Sequence, residues 1–311
     1  MTHSSENTLS KKALQWIVDS VNPFARVESV ERLQGGISSI VHSVSLRSGD
    51  STIEYVIRQF DNRHWLRAEP DLVLHEVGSL RQVAGVDLPT PDLIAFDETG
   101  IHSGMPSVLM SKLEGSVILE PSDRAIWLDG LAQSLVAIHQ VTANDHPWSY
   151  RTYIDLNSLE TPTWSSYPQS WGKAINIAQG PKPLFKDVFV HRDYHPTNVL
   201  WQHNKVSGVV DWVNACKGPA GIDIGHCRWN LAMLYDSTVA DLFLSRYEAY
   251  ASSTFRYDPY WDILSIMDTL FGTPEVYAGW TALGITGLTN QMMCERSDAY
   301  LLSVLYRTNY I

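Results

Sequence analysis

The sequence predicts an α+β fold of two lobes: an N-terminal antiparallel sheet lobe with one main helix, and a larger, mainly helical C-terminal lobe. Three observations predict it. The chain has 311 residues, past the roughly 250–300 at which a single core stops growing. Runs rich in Val and Ile, broken by Gly-containing turns, fill its first part, which is the pattern of short strands. Beyond residue 122 the apolar spacing becomes predominantly helical. With 44% hydrophobic and 18% charged residues, the composition is that of a folded globular protein.

After a polar tail, Ala13, Leu14, Ile17 and Val18 fall on one face of a helix over 11–20. Residues 25–33, 40–46 and 53–60 read as three strands of an antiparallel meander, broken at Gly35-Gly36 and at Ser48-Gly49-Asp50-Ser51. Pro70 precedes a helix over 71–83, since proline is tolerated near a helix start. Strands at 92–96 and 107–110 complete the sheet. Residues 1–110 therefore form the first lobe, 111–118 a polar linker and 119–311 the second lobe. The second lobe opens with an amphipathic helix over 122–141, with Ile126, Leu128, Leu131, Leu135, Val136 and Ile138 on or near one side. A Trp-, Tyr- and Pro-rich insertion spans 147–171, followed by strands at 188–190, 199–201 and 206–210 and then helices to the end.

The net charge of −11, from 34 acidic and 23 basic residues, opposes a nucleic-acid partner, because the field of the protein would repel the phosphate backbone. It permits a cationic ligand. Cys216, Cys227 and Cys294 show no zinc-ligand spacing and are expected as buried, reduced thiols. No apolar run is long enough to span a bilayer and residues 1–10 carry no signal core, so the expected location is cytoplasmic, away from membranes. Nothing in the sequence sets the oligomeric state.

The chemistry is concentrated in His191-Arg192-Asp193-Tyr194-His195-Pro196-Thr197-Asn198. A carboxylate and an amide five residues apart, in a loop between strands, can face one phosphate site. Asp193 can orient a substrate hydroxyl and accept its proton, and Asn198 can offer a neutral oxygen to Mg²⁺. Asp211, ending the apolar run 206–210, can supply the stronger metal contact. A single Asp or Asn in a loop more often closes a turn. The joint pattern His-x-Asp-x-x-x-x-Asn arises by chance in roughly one chain in a hundred of this length.

His191-Arg192-Asp193 with Asn198, followed by Val209-Val210-Asp211, resembles the catalytic loop and metal-binding strand of the kinase-like phosphotransferases. The chain thus resembles the aminoglycoside phosphotransferase and choline kinase superfamily, which implies a bilobal protein-kinase-like fold. The resemblance implies that Asp193 is the base or hydroxyl-orienting residue and that Asn198 and Asp211 hold Mg²⁺ between nucleotide phosphates. Residues 218–225, Gly-Pro-Ala-Gly-Ile-Asp-Ile-Gly, resemble the stretch that follows in aminoglycoside phosphotransferases. There Asp223 matches a buried Asp that opens a helix through an N-cap type contact and anchors the loop. His191 is expected as a loop-anchoring donor, and His195 is expected to face solvent.

The first lobe would then cover ATP, with GTP as the alternative. Gly35, Gly36, Ser38 and Ser39 could reach the phosphates through backbone N–H groups and hydroxyls, although a Gly pair in a hairpin is usually only a turn. Arg58 stands where protein kinases place a phosphate-clamping Lys, with Glu76 as its expected partner. The strand 107–110 resembles the one whose backbone reads the adenine edge, which makes Met110, Ser111, Lys112 and Leu113 the expected hinge. Only eleven residues separate Asp211 from Asp223, too few for the peptide-docking segment of a protein kinase. The resemblance therefore implies a small-molecule acceptor with a hydroxyl, such as a cationic metabolite, an aminoglycoside or another antibiotic. The alternatives are a metabolic kinase for choline, homoserine or a sugar, and a non-catalytic, pseudokinase-like nucleotide binder.

Overall fold

The computed structural model describes residues 9–33, 39–269 and 272–307. Helix α1 (Lys11–Val21) starts at Ser10, whose Oγ accepts the N–H of Ala13 at 3.1 Å, the usual service of an N-cap serine. Strands β1 (Arg26–Arg32), β2 (Ile40–Ser48) and β3 (Ser51–Gln59) form the meander. The turn between the last two uses Gly49 at φ +62°, which glycine adopts without a side-chain clash. Short α2 (Arg63–Ala68) and α3 (Leu72–Val83) follow, then β4 (Leu93–Asp97) and β5 (Ser107–Ser111). The sheet order is β1-β2-β3-β5-β4, antiparallel throughout.

Alternation along β5 divides the packing. Leu109 points to the α1 side with Ile17, Val44 and Ile57. Val108 and Met110 point to the α3 side, with Phe60, Val77 and Leu80, in a core that continues into the second lobe. The helix over 71–83 therefore packs between the sheet and the rest of the molecule, and carries Glu76 with it.

The link after β5 is short. Strand β6 (Ser116–Val117) lies within residues 111–118 and pairs with Leu200 and Trp201 of the following lobe. Helix α4 (Arg124–His139) begins at Asp123, whose Oδ1 accepts from Ala125 and Ile126. It departs from the expected one-sided amphipathicity. Trp127, Leu128, Leu131, Leu135, Val136 and Ile138 are buried, yet Ile126 is 46% exposed. The helix packs against several elements, so its burial is not one stripe. At the end of the aromatic insertion, α5 (Pro168–Gln179) is a regular helix begun by a proline and anchored in its first turn by fully buried Trp171.

Strands β7 (Asp187–Val190), β8 (Val199–Gln202) and β9 (Lys205–Val209) bracket the motif loop. The expectation of helices only after Asp211 is corrected by β10 (Cys216–Pro219), which pairs antiparallel with β7. Four residues are too few to show a period. Helices α6 (Ala220–Leu234), α7 (Ser237–Tyr250), α8 (Tyr260–Thr269), α9 (Ala278–Ala282) and α10 (Asn290–Arg307) complete the lobe. Gly225 lets α6 and α8 touch, since a Cβ there would lie 2.5 Å from the Trp261 carbonyl oxygen. Cys216 and Cys227 are buried and unbridged, while Cys294 is only half-buried. Among the described residues no helix is long and apolar enough to cross a membrane.

Candidate active site

The loop from His191 to Asn198 is held from below by one buried carboxylate. Asp223 accepts the N–H groups of His191 and Arg192, each at 2.7 Å, and meets His139 Nε2 at 3.1 Å. His139 in turn contacts the Tyr247 hydroxyl at 2.7 Å. Burial opposes a charge on Asp223, but these donors outweigh it and lower its pKa. Asp223 lies in the first turn of α6, where Pro219 is the N-cap. The expected N-cap contact is therefore absent, because its oxygens face the loop from His191 to Asn198 instead. His191 Nε2 lies 2.9 Å from the Val210 carbonyl, which ties the loop to the strand leading to Asp211.

Arg192 is clamped as well. Its guanidinium pairs with the buried carboxylate of Asp268 and lies 4.8 Å and 4.0 Å from the ring centres of Tyr150 and Tyr153. Its φ of +71°, like that of Asp211 at +68°, is a conformation non-glycine residues adopt only when their surroundings enforce it.

Asn198 Nδ2 donates to the Asp193 carbonyl at 2.9 Å, so the amide oxygen is the end left for a cation. The Asp193 carboxylate is one-third exposed and lies 3.1 Å from His226 Nε2 and 3.7 Å from His195 Nε2. Burial opposes its charge, but the imidazoles of His195, His226 and His191 hold it well below the usual carboxylate range. His195 does not face solvent. It is 5% exposed, edge-on to Tyr277, and burial pushes its pKa down to about 4.

Arg58 bridges the lobes, with Nη2 at 2.8 Å from Asp211 and Nε at 3.2 Å from Glu76. The contact to Glu76 is an ion pair by distance but too oblique for a hydrogen bond, and Arg58 Nη1 has no hydrogen-bond partner among the described residues. Burial raises Glu76 to about 7 against the pull of Arg58. Burial likewise opposes the charge on Arg58, but Asp211 and Glu76 outweigh it and raise its pKa.

One carbonyl of the second lobe gathers two side chains of α3. The Ala215 oxygen meets His75 Nε2 at 2.6 Å, His146 Nε2 at 3.1 Å and the Ser79 hydroxyl at 3.4 Å. Burial lowers both histidine pKa values from the ordinary 6.5. Between the folded and ordinary values the unfolded chain binds more protons, so this stability is full above 6.5 and is lost as pH falls through the folded values. Thermal melts from about pH 7.5 to about 5 are expected to fall on acidification, and His75→Gln to make the fall shallower. An identical pH profile in the variant would remove His75 from this account.

Two cavities meet here. One, of about 350 Å³, is lined by Ser39, Arg58, Met110, Ser111, Lys112 and Leu113 among others. The other, of about 1330 Å³, is lined by His64, Trp65, Glu69, Tyr153, Asp193, His195, His226, Glu275 and Tyr277 among others. Asn198 and Asp211 line both. Glu76 stands behind Arg58, and Gly35, Gly36 and Ser38 lie outside the described residues. Sequence reasoning missed His226, Asp268 and Tyr153. His226 alone left a signal, since it follows Asp223 by one helical turn and so shares its face.

Comparison with known proteins agrees with this architecture. The solved structures that match include a Ralstonia eutropha JMP134 protein provisionally assigned as an aminoglycoside phosphotransferase, at TM-score 0.63 and 17% identity, covering 96% of this chain and 99% of that one. The amicoumacin kinase in complex with AMP-PNP, Ca²⁺ and amicoumacin matches at TM-score 0.58 and 12% identity over 96% and 95% of the two chains. The macrolide 2′-phosphotransferase of Brachybacterium faecium matches at 0.54 and 14% identity, over 92% and 98%. At such identities these likenesses concern the fold. Among curated proteins, the homoserine kinase of Rhodopseudomonas palustris (strain BisA53) is 25% identical over 160 residues, which are 46% of this chain and 47% of that protein. The aligned part thus spans about half the length of the curated relative. The sequence profile of the phosphotransferase enzyme family matches residues 29–260, well over half of the chain, and the protein belongs to that family.

Proposed function

We propose that the protein is an ATP- and Mg²⁺-dependent O-phosphotransferase that acts on a hydroxyl of a small, cationic acceptor. The observation that carries this reading is the junction of the two cavities at Asn198 and Asp211, with Asp193 opening only on the larger one. Nucleotide would occupy the smaller cavity, with its adenine against Met110 to Leu113 and its phosphates toward Arg58, whose unpartnered Nη1 is a donor suited to them. Ser39 also lines this cavity, and its buried hydroxyl has no partner among the described residues. The amide oxygen of Asn198 and the carboxylate of Asp211 make an all-oxygen donor set that fits Mg²⁺. When bound, Mg²⁺ would neutralise the charge that develops on the phosphates. Asp193 would hold the acceptor hydroxyl in line. With its pKa so depressed it is a weak base, and its contribution is orientation first and proton acceptance late in transfer.

The acceptor class follows from the lining of the larger cavity. Its described lining residues include Glu69, Glu275, Asp193 and Asp211, and none of them is Lys or Arg; Glu69 pairs with Arg151 and Asp211 with Arg58, so Glu275 and Asp193 carry most of its sign. Trp65, Trp229, Tyr277 and Trp280 line it too, and such rings attract cations. The match to a homoserine kinase supports transfer to an alcohol. Homoserine itself fits less well, because its carboxylate would enter a cleft of its own sign.

The test is ADP formation with Mg²⁺ and ATP across aminoglycosides, other hydroxylated antibiotics, choline, homoserine and sugars. Turnover is expected with a cationic member. Nucleotide binding without turnover on any of them would favour the non-catalytic reading. With an acceptor in hand, Asp211→Ala is expected to raise the Mg²⁺ concentration needed for half-activity by at least about tenfold. An unchanged Mg²⁺ titration would remove Asp211 from the metal site.

A further inference from the structure

At the floor of the larger cavity three ligand-type atoms converge: a carboxylate oxygen of Asp193 and one ring nitrogen each of His195 and His226, all within 4.8 Å of one another. The amide of Asn198 is oriented by its bond to the Asp193 carbonyl, and the same Nδ2 lies 3.3 Å from His195 Nε2. The same Nδ2 is also 3.3 Å from Asp193 Oδ2, so its second proton does not depend on the lone pair of His195. The amide of Asn230 is likewise oriented by a 3.0 Å bond to the His226 carbonyl, and its Nδ2 lies 3.2 Å from His226 Nε2. Each ring nitrogen has one in-plane lone pair, and neither amide depends on it, since Asn198 and Asn230 are already held by the two carbonyls. A proton on His226 would make its 3.1 Å contact with Asp193 an ordinary ion pair, whereas His195 at 3.7 Å is too far for a hydrogen bond. A single cation among the three atoms would draw both lone pairs and the carboxylate oxygen onto one centre.

The donor set selects the kind of cation. Two imidazole nitrogens and one carboxylate oxygen suit zinc and its neighbours, whereas Mg²⁺ takes oxygen donors. Zinc bonds of about 2.0–2.1 Å place tetrahedral ligand atoms roughly 3.3 Å apart. The two edges at Asp193, 3.1 Å and 3.7 Å, bracket that value. The fourth position would open on the cavity, where water can fill it.

We propose that Asp193, His195 and His226 form a binding site for a zinc-class divalent ion, separate from the oxygen pair Asn198 and Asp211, and that its occupancy inhibits phosphoryl transfer. The inhibitory part rests on the function proposed above, since an ion held by the Asp193 carboxylate neutralises the charge that would receive the acceptor hydroxyl. No bond of the substrate is made or broken in this step. The ion and the hydroxyl compete for one carboxylate.

The experiment titrates Co²⁺, as the probe, into the tag-free full chain without Mg²⁺. The expected result is one Co²⁺ per chain with the strong visible absorption of tetrahedral cobalt, displaced by Zn²⁺. His226→Ala and His226→Asn should each weaken binding by more than the roughly 10- to 100-fold that loss of an outer partner costs, with circular dichroism confirming that the variants fold. ADP formation on the acceptor found in the panel should fall over the Zn²⁺ range that displaces cobalt. The proposal is overturned if no such absorption develops, if both variants titrate like the parent, if a thiolate charge-transfer band points to Cys294, or if turnover survives saturating Zn²⁺. Binding of Mg²⁺ and AMP-PNP on the same preparation separates the two readings. Its failure removes the phosphotransferase assignment and leaves the cobalt result standing, whereas cobalt failure with AMP-PNP bound removes this inference alone.

Discussion

Asp193→Ala is expected to lower turnover about a thousandfold while Mg²⁺ and AMP-PNP bind nearly as before. The separation follows from where the side chain lies. Asp193 lines the larger cavity and is absent from the lining of the smaller one, so nucleotide contacts do not depend on it. Asn198 bonds to the Asp193 backbone carbonyl at 2.9 Å, and that bond survives the truncation. Asp193→Asn keeps the shape but puts an amide against His226 and His195, and is expected to be nearly as inactive. Calorimetry with AMP-PNP beside ADP release on the identified acceptor makes the comparison. Turnover within about threefold of the parent would show that another group receives the hydroxyl proton.

Asp223→Ala is expected to act on the fold as well as on the reaction. Asp223 is fully buried and serves two backbone N–H groups and one imidazole. Removing it leaves those donors unpaired beneath Arg192, which already holds a φ of +71°. The cost should be roughly 3–5 kcal/mol, the range for breaking a buried charged network from one side. Urea melts give the stability, and turnover should fall beyond what the unfolded fraction explains. A loss under about 1 kcal/mol with full turnover would mean that the loop is held mainly by the clamp on Arg192 and the His191 contact.

The parts of the site legible in the sequence are those with local spacing. Asp193 and Asn198 belong to one loop and Asp211 to the next strand end, so their convergence needs only two short strands between them. Arg58 and Glu76 were legible by order along the chain. The partners of Arg192 were not, because Asp268, Tyr150 and Tyr153 come from distant segments and their roles depend on how α8 packs. His195 was misread because the turn at Pro196 carries it inward beneath Tyr277, and no periodicity records that. In the fold, strands β1 to β5 were visible from Val and Ile runs, while β10 was too short to show a pattern and α5 straddles the end of the aromatic insertion at residue 171. The stripe expected on α4 failed for a different reason: burial on several sides makes a helix apolar all round, which the spacing of a few leucines does not distinguish.

The carbonyl of Ala215 has a consequence for nucleotide affinity. A kinase that must first swing its glutamate-bearing helix into place binds nucleotide through a minor population, and its apparent dissociation constant is weakened by that fraction. Here His75 and Ser79 of α3 meet His146 on that one oxygen, which holds α3 against the second lobe. Under the function proposed above, nucleotide would then meet a site already in place, with no such fraction lost.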